Sequence, residues 1–191
     1  GGSADISGIR LDDVAGTQLT GYTAASDSEI SGAVLPAGVK SGTYNVLVNT
    51  GVGASLPGQA KMIITTPPPA VTGLNPSYGG SGKANTITVS GTGFFGGTAE
   101  PDVSATKIGT LALSFTADGD TTLTAVIPRG ATPATYDVRV TNSGGTNSTS
   151  AVRFTVYPAP SVTQIAPSTG GNDVTTTVAI TGTGFFGAGK T

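Results

Sequence analysis

The 191-residue chain has no cysteine, no histidine and no tryptophan. Without cysteine there is neither a disulfide framework nor a thiolate metal site. Without histidine the chain lacks the commonest metal ligand and the commonest general base. Charge is scarce as well: Asp, Glu, Lys and Arg make up 10% of the residues, against about 25% in an ordinary soluble domain. The net charge is −2, and the nine basic residues are scattered singly from Arg10 to Lys190. No basic stripe follows the chain, so nucleic acid is not an expected partner. There is no apolar run of membrane-spanning length and no signal peptide. Gly1 stands first in place of Met, as expected of a mature or excised piece.

What is abundant is glycine, at 30 residues, together with Thr, Ser and Val. β-Branched residues fit a half-buried pleated surface, and glycine supplies the positive φ of tight turns. The composition therefore predicts an all-β chain. Strands are expected at Ile6–Leu11, Gln18–Thr23, Glu29–Leu35, Gly42–Asn49 and Gln59–Thr65, separated by Gly, Asp, Ser and Pro. Seven more are expected at Val71–Asn75, Thr86–Ser90, Ala105–Ile108, Leu111–Ala117, Leu123–Ile127, Thr135–Asn142 and Ala151–Tyr157. Ser161–Ala166 and Val174–Thr181 begin the series again.

One short stretch sets the register of the whole chain. Gly91-Thr92-Gly93-Phe94-Phe95-Gly96 returns 91 positions later as Gly182-Thr183-Gly184-Phe185-Phe186-Gly187. Pro76 returns as Pro167 at the same spacing. Leu35-Pro36 and Gly42-Thr43-Tyr44-Asn45-Val46 recur 92 positions later as Ile127-Pro128 and Ala134-Thr135-Tyr136-Asp137-Val138. The expected organisation is a back portion of a unit at 1–66, a complete unit at 67–157 and a front portion of another at 158–191. Thr66-Pro67-Pro68-Pro69 and Pro158-Ala159-Pro160 read as stiff linkers, because proline cannot donate to a ladder and favours extended chain.

The ordered series Pro69-Ala70-Val71-Thr72-Gly73-Leu74-Asn75-Pro76, Thr86 to Phe94, Ala125-Val126-Ile127-Pro128, Tyr136 to Val140 and Phe154-Thr155-Val156 resembles the IPT/TIG domain. That resemblance implies an immunoglobulin-like β-sandwich. It also implies the company such modules keep, in surface proteins and receptors or beside enzymes and transcription factors, and it implies no catalytic residues. The fold class expected is thus tandem immunoglobulin-like sandwiches, one whole unit between two complementary partial ones. The Gly-rich segment from Gly96 to Asp102 is longer than the family pattern. Seven short, regularly spaced strands support a sandwich on physical grounds alone. Its core is expected to hold Val89, Phe94, Leu113, Phe115, Val126, Tyr136, Val138, Val140, Phe154 and Val156. Tyr44 and Tyr136 are placed to bond a backbone group at the sandwich edge, as a tyrosine corner does.

Partial units expose sheet faces and edges. Three arrangements relieve this: a longer covalent array, completion of one chain by the next, or closure of the two ends within one chain. The last is disfavoured by geometry, since a seven-stranded antiparallel unit sends its two ends to opposite poles, about 20 Å apart. The first two both give units in a line, and a non-closing join between chains gives fibres. The expected function is a structural protein of an extracellular fibre, stalk or surface layer, with itself as head-to-tail partner. The alternative is an adhesin or a carbohydrate-binding spacer, for which a surface glycan would be the ligand.

Signals resembling chemistry are few. Gly184 to Thr191 fits the phosphate-loop pattern, but the motif needs a following helix, and the equivalent Gly93–Glu100 lacks the lysine, so coincidence in a Gly-rich turn is the preferred account. Asp118 and Asp120 are the candidate metal ligands, although a turn explains them equally and a calcium site needs six to eight oxygens. Asp12-Asp13 and Asn172-Asp173 are read the same way. Asn147-Ser148-Thr149 is a glycosylation sequon in an expected surface loop. One Phe of each Phe-Phe pair, Phe94-Phe95 and Phe185-Phe186, is expected in a core and the other over a unit junction. No nucleophile has a visible base partner, so no enzyme activity and no cofactor are expected.

Overall fold

A computed structural model describes residues 5–58, 61–148 and 152–186 of the chain. All regular structure among these residues is β-strand. The fold is all-β and immunoglobulin-like, and the middle of the chain shows why most clearly.

The N-terminal residues form β1 (Ile6–Leu11), β2 (Gln18–Leu19), β3 (Thr23–Ser26), β4 (Glu29–Ser31), β5 (Gly42–Thr50), β6 (Gly53–Ala54) and β7 (Lys61–Ile64). β2, β1 and β5 lie side by side, with β6 and β7 both paired to β5, while β3 and β4 make a separate hairpin. The expected Gln18–Thr23 and Glu29–Leu35 strands are cut short. Gly21 and Gly32 take positive φ, and a single bridge between Thr20 and Val34 is what remains of pairing beyond them. Gln59 falls outside the described residues.

The middle residues form β8 (Ala70–Asn75), β9 (Tyr78–Gly80), β10 (Asn85–Thr92), β11 (Ala105–Ile108), β12 (Leu111–Ala112), β13 (Ser114–Gly119), β14 (Thr122–Ile127), β15 (Ala134–Asn142), β16 (Gly145–Thr146) and β17 (Arg153–Tyr157). One sheet runs β13-β14-β10-β8 and the other β12-β11-β15-β17-β9. Alternation in β10 and β14 turns Ile87, Val89, Leu123, Ala125 and Ile127 inward, and Ile108, Val138, Val140, Phe154 and Val156 meet them from the second sheet. Phe94 closes one end of this core and is fully buried.

Three expectations are corrected here. Leu111–Ala117 is not one strand: the chain changes sheets at Leu113, which is buried between β12 and β13. Val126 is not a core residue, because β14 buries the other phase, Leu123, Ala125 and Ile127. Phe115 and Tyr136 are half-buried and pack on the core's margin. β9, which pairs parallel with β17, was not anticipated, because Tyr78-Gly79-Gly80 carries no strand signal.

The first proline linker is docked onto the middle unit. Asn142, 3% exposed, donates from Nδ2 to the carbonyls of Pro67 and Gly93, both at 3.0 Å. A Cβ on Gly144 would collide with the Thr66 carbonyl oxygen. Pro69 is buried, while Pro68 stays exposed. One buried amide therefore fastens the linker and the Gly-Thr-Gly-Phe-Phe turn to the end of β15. Asn142→Ala strips two carbonyls of their shared donor, and a loss of about 1–3 kcal/mol is expected, read as a lower denaturant midpoint in equilibrium unfolding.

The remaining strands, β18 (Ser161–Ala166) and β19 (Ala179–Thr183), pair only with each other. Strand structure was expected from Val174, yet pairing starts at Ala179.

Candidate functional site

The repeated turn supplies the first half of the site. Gly93 takes φ 76°, and the chain folds so that Phe94 N donates to Asp120 O at 3.1 Å and Phe95 N donates to Asp120 Oδ1 at 2.9 Å. Gly91 N donates to Thr121 O at 3.0 Å. A Cβ at Gly91 would strike the Ala70 carbonyl oxygen, which is why this position is glycine. The turn is thus clamped by the β13–β14 hairpin. Asp118 accepts from Thr124 Oγ1 at 2.7 Å. Both candidate metal ligands therefore hold neighbouring chain in place, and no cluster of three or more acidic side chains with metal-binding geometry occurs among the described residues. Phe95 is half-buried against the core margin.

The second copy repeats this geometry without its cover. β18 and β19 pair Ile165 with Ile180 and Val162 with Gly182, as β8 and β10 pair Leu74 with Val89 and Val71 with Gly91. The irregularity falls at the same place in both hairpins, skipping Thr72 in one and Thr163 in the other. Gly184 takes φ 72°, and a Cβ at Gly182 would strike the Ser161 carbonyl oxygen. The difference lies in burial. Val89 and Phe94 are 0% exposed, whereas their equivalents Ile180 and Phe185 are each 53% exposed. Val162, Ile165, Val178 and Phe186 are exposed too, as are Pro158 and Pro160. An apolar face that forms core in one copy stands open in the other.

The N-terminal residues repeat the second sheet of the middle unit. β5, β6 and β7 repeat β15, β16 and β17 at the 92-residue spacing, and Leu11 and Ile9 on β1 take the places of Ile108 and Thr106. Tyr44 Oη donates to Lys40 O at 2.9 Å, and Tyr136 Oη donates to Thr132 O at 2.8 Å, the same bond in both copies. Val46, Val48, Met62 and Ile64 are only half-buried where Val138, Val140, Phe154 and Val156 are buried. Between this sheet and the β3–β4 hairpin runs a groove of about 960 Å³, lined by Ala24, Ser26, Asp27, Ile30 and Val48 among others.

Two further concavities are present. A cleft of about 510 Å³ lies where the N-terminal residues meet the middle unit, bordered by Asp12, Lys40, Tyr44, Glu100 and Asp102. Asp102 there accepts from Ser143 N at 3.1 Å and Ser143 Oγ at 2.7 Å, which ties down the long Gly96–Asp102 segment. Tyr78 and Tyr157 meet edge-to-face, with ring centres 6.1 Å apart, beside a pocket of about 370 Å³. The sequon is corrected: Asn147 is buried, not in a surface loop. Its Oδ1 accepts from Val140 N at 2.7 Å and its Nδ2 donates to Val138 O at 3.2 Å, so the nitrogen a sugar would need is inside the fold. Thr149 and residues 187–191 of the phosphate-loop pattern lie outside the described residues.

Asp12 and Asp13 titrate below the ordinary aspartate value of 3.8. For Asp12 the chief cause is the Asn45 side-chain amide, which donates to its carboxylate, and for Asp13 it is the Thr17 hydroxyl. A lowered native value means the unfolded chain takes up protons first as the pH falls. The stability these bonds give is complete above the unfolded value and drains away as pH drops through 3.8 toward the native values. Asp12→Asn is expected to flatten the acid limb of the stability–pH curve for the N-terminal strands, measured by thermal unfolding from pH 6 to about 2.

With this geometry in view, residues 69–156 match the IPT/TIG domain. No curated protein matches the chain in sequence. Three solved structures are similar in shape. SGBP-B of the Bacteroides ovatus mixed-linkage glucan utilization locus, in complex with a mixed-linkage heptasaccharide, shares 16% identity over 83% of this chain and 40% of its own, with a TM-score of 0.33. The extracellular region of plexin A4 shares 14% over 85% of this chain and 14% of its own, with a TM-score of 0.43. FdeC, an Escherichia coli adhesin, shares 17% over 86% of this chain and 57% of its own, with a TM-score of 0.39. The chain spans less than two thirds of each of these structures. Among the described residues no helix is long and apolar enough to cross a membrane.

Proposed function

We propose that this chain is a structural segment of an extracellular fibre, stalk or surface layer built from immunoglobulin-like units set head to tail. In this reading residues 1–66 are the later strands of one unit, 67–157 a complete unit and 158–191 the first two strands of another. The observation that carries it is the β18–β19 hairpin. It reproduces β8–β10 pair for pair, yet leaves uncovered the face that β8–β10 buries. A two-stranded ribbon with an open apolar face is marginal in water, so the hairpin is a part awaiting the rest of its unit. The docked proline linker supports a stiff array, and the low charge of 10% suits an extracellular surface.

Electron microscopy of the native material, paired with a denaturing gel, tests this. Fibres are expected, running either as subunits near 18.6 kDa if chains complete one another, or as one very large polypeptide if the array is covalent. Compact isolated particles would overturn the proposal.

A second reading, an adhesin or carbohydrate-binding spacer, is favoured by the Tyr78–Tyr157 pair, since Tyr78 is exposed beside a pocket. Sugars stack on exposed rings of this kind. If it holds, Tyr78→Ala abolishes binding to a glycan array while leaving the unfolding curve within about 0.5 kcal/mol of the parent. An array on which the parent binds nothing removes this reading.

A further inference from the structure

We infer that the β18–β19 hairpin of one chain seats in the groove of a second copy, pairing β19 with β4 and clamping its Gly-Thr-Gly-Phe-Phe turn on Asp27. This join rests on the head-to-tail reading above and commits it to a register.

The argument starts from the hairpin that lines the groove. β3 and β4 pair Ala24 with Ile30 and Ser26 with Glu29, with an irregularity between. β13 and β14 pair Ala117 with Leu123 and Gly119 with Thr122, with the same irregularity between. The two hairpins are therefore the same object 93 positions apart, and Asp27 stands where Asp120 stands. In the middle unit that aspartate receives Phe94 N on its carbonyl and Phe95 N on its carboxylate, and the next residue, Thr121, receives Gly91 N. Asp27 and Ser28 offer the same acceptors, and no amide among the described residues is bonded to them.

The donors exist on the other hairpin. Gly182, Phe185 and Phe186 are the equivalents of Gly91, Phe94 and Phe95, and Gly184 already holds the turn conformation at φ 72°. Setting β19 against β4 as β10 lies against β14 brings Thr181 opposite Glu29, Ile180 opposite Ile30 and Ala179 opposite Ser31. Ile180 and Ile30 then form the layer that Val89 and Leu123 form in the middle unit. Val162, Ile165 and Phe185 turn toward Val46, Val48, Met62 and Ile64, the half-covered face of the receiving sheet. Gly32, at φ 73°, bends the chain away after Ser31 and limits this strand pairing to the stretch that matches.

The receiving block differs where the linker would sit. Thr50 and Val52 stand where Asn142 and Gly144 do. The amide that fastens the linker is missing, and a side chain occupies the space that the Thr66 carbonyl needs. The second linker, Pro158 to Pro160, therefore cannot lie on the receiving copy as the first lies on the middle unit. The join between chains is held by the strand pairing and the turn, not by the linker.

The absence of native cysteine makes the register directly readable. Glu29→Cys and Thr181→Cys in one chain place the pair at directly opposed positions, where cross-strand Cα separations of about 4.5–5.5 Å suit a disulfide. On mild oxidation a ladder of multiples of 18.6 kDa is expected on a non-reducing denaturing gel, collapsing on reduction. Glu29→Cys with Thr177→Cys, about 13 Å out of register along the strand, is expected to give a ladder at least ten times weaker. Ile180→Asp, on a surface the middle unit does not need, is expected to keep the parent's circular dichroism and abolish self-association in light scattering. Equal ladders from the two cysteine pairs overturn the register. A crosslink confined within single chains, or a parent that stays monomeric at high concentration, overturns completion by a second copy. The microscopy of native material judges the array separately, because a covalent array would still form fibres after this join had failed.

Discussion

A β-sandwich depends on its two inner faces covering each other. In the middle unit Ile87, Val89, Leu123 and Ile127 on one sheet meet Val138, Val140, Phe154 and Val156 on the other, and all are essentially excluded from water. At about 1.5–3 kcal/mol for each large apolar side chain buried, this contact is the largest favourable contribution to a unit of this size. Everything else in the unit serves that contact. The Gly-Thr-Gly-Phe-Phe turn places Phe94 across one end of the core. Asp120 holds the turn, and Asn142 fastens both the turn and the linker. The same requirement makes the flanking residues informative: Val46, Val48, Met62 and Ile64 are only half-covered, and the apolar face of β18–β19 is open.

Much of this was legible in the sequence because it is written twice. The 91- and 92-residue spacings located equivalent strands without any knowledge of pairing, and the observed registers of β18–β19 and β5–β7 repeat those of β8–β10 and β15–β17. The tyrosine bonds could be anticipated because Tyr44 and Tyr136 sit at the same step of the repeat. The all-β character followed from Thr, Val and Gly content. What stayed hidden depends on sheet membership. Leu111–Ala117 reads as one strand because its residues all favour extended chain, and only packing shows the crossing at Leu113. The phase of β14 is hidden in the sequence because Ala125 is small and Val126 large, whereas the core there needs the small residue opposite Ile87.

The candidate site shows the same limits. Asp118, Asp120 and Asn147 drew attention as polar residues with functional patterns, and each is engaged by neighbouring backbone or hydroxyl groups. Asp27 drew none, because the 93-residue correspondence of its hairpin is blurred by the inserted Gly32 and emerges only from the matching registers. Asp27 shares with Asp120 its place in a hairpin of the same register, and among the described residues it holds no turn.

The account stands or falls on whether the open face of the β18–β19 hairpin becomes covered. Amide hydrogen exchange of the 191-residue chain, followed by mass spectrometry at increasing protein concentration, measures this directly. Peptides spanning 178–186 are expected to exchange freely in dilute solution and to become protected at high concentration, together with residues 27–31, while β10 and β14 stay protected throughout. Exchange at 178–186 that remains fast at every concentration would contradict the account.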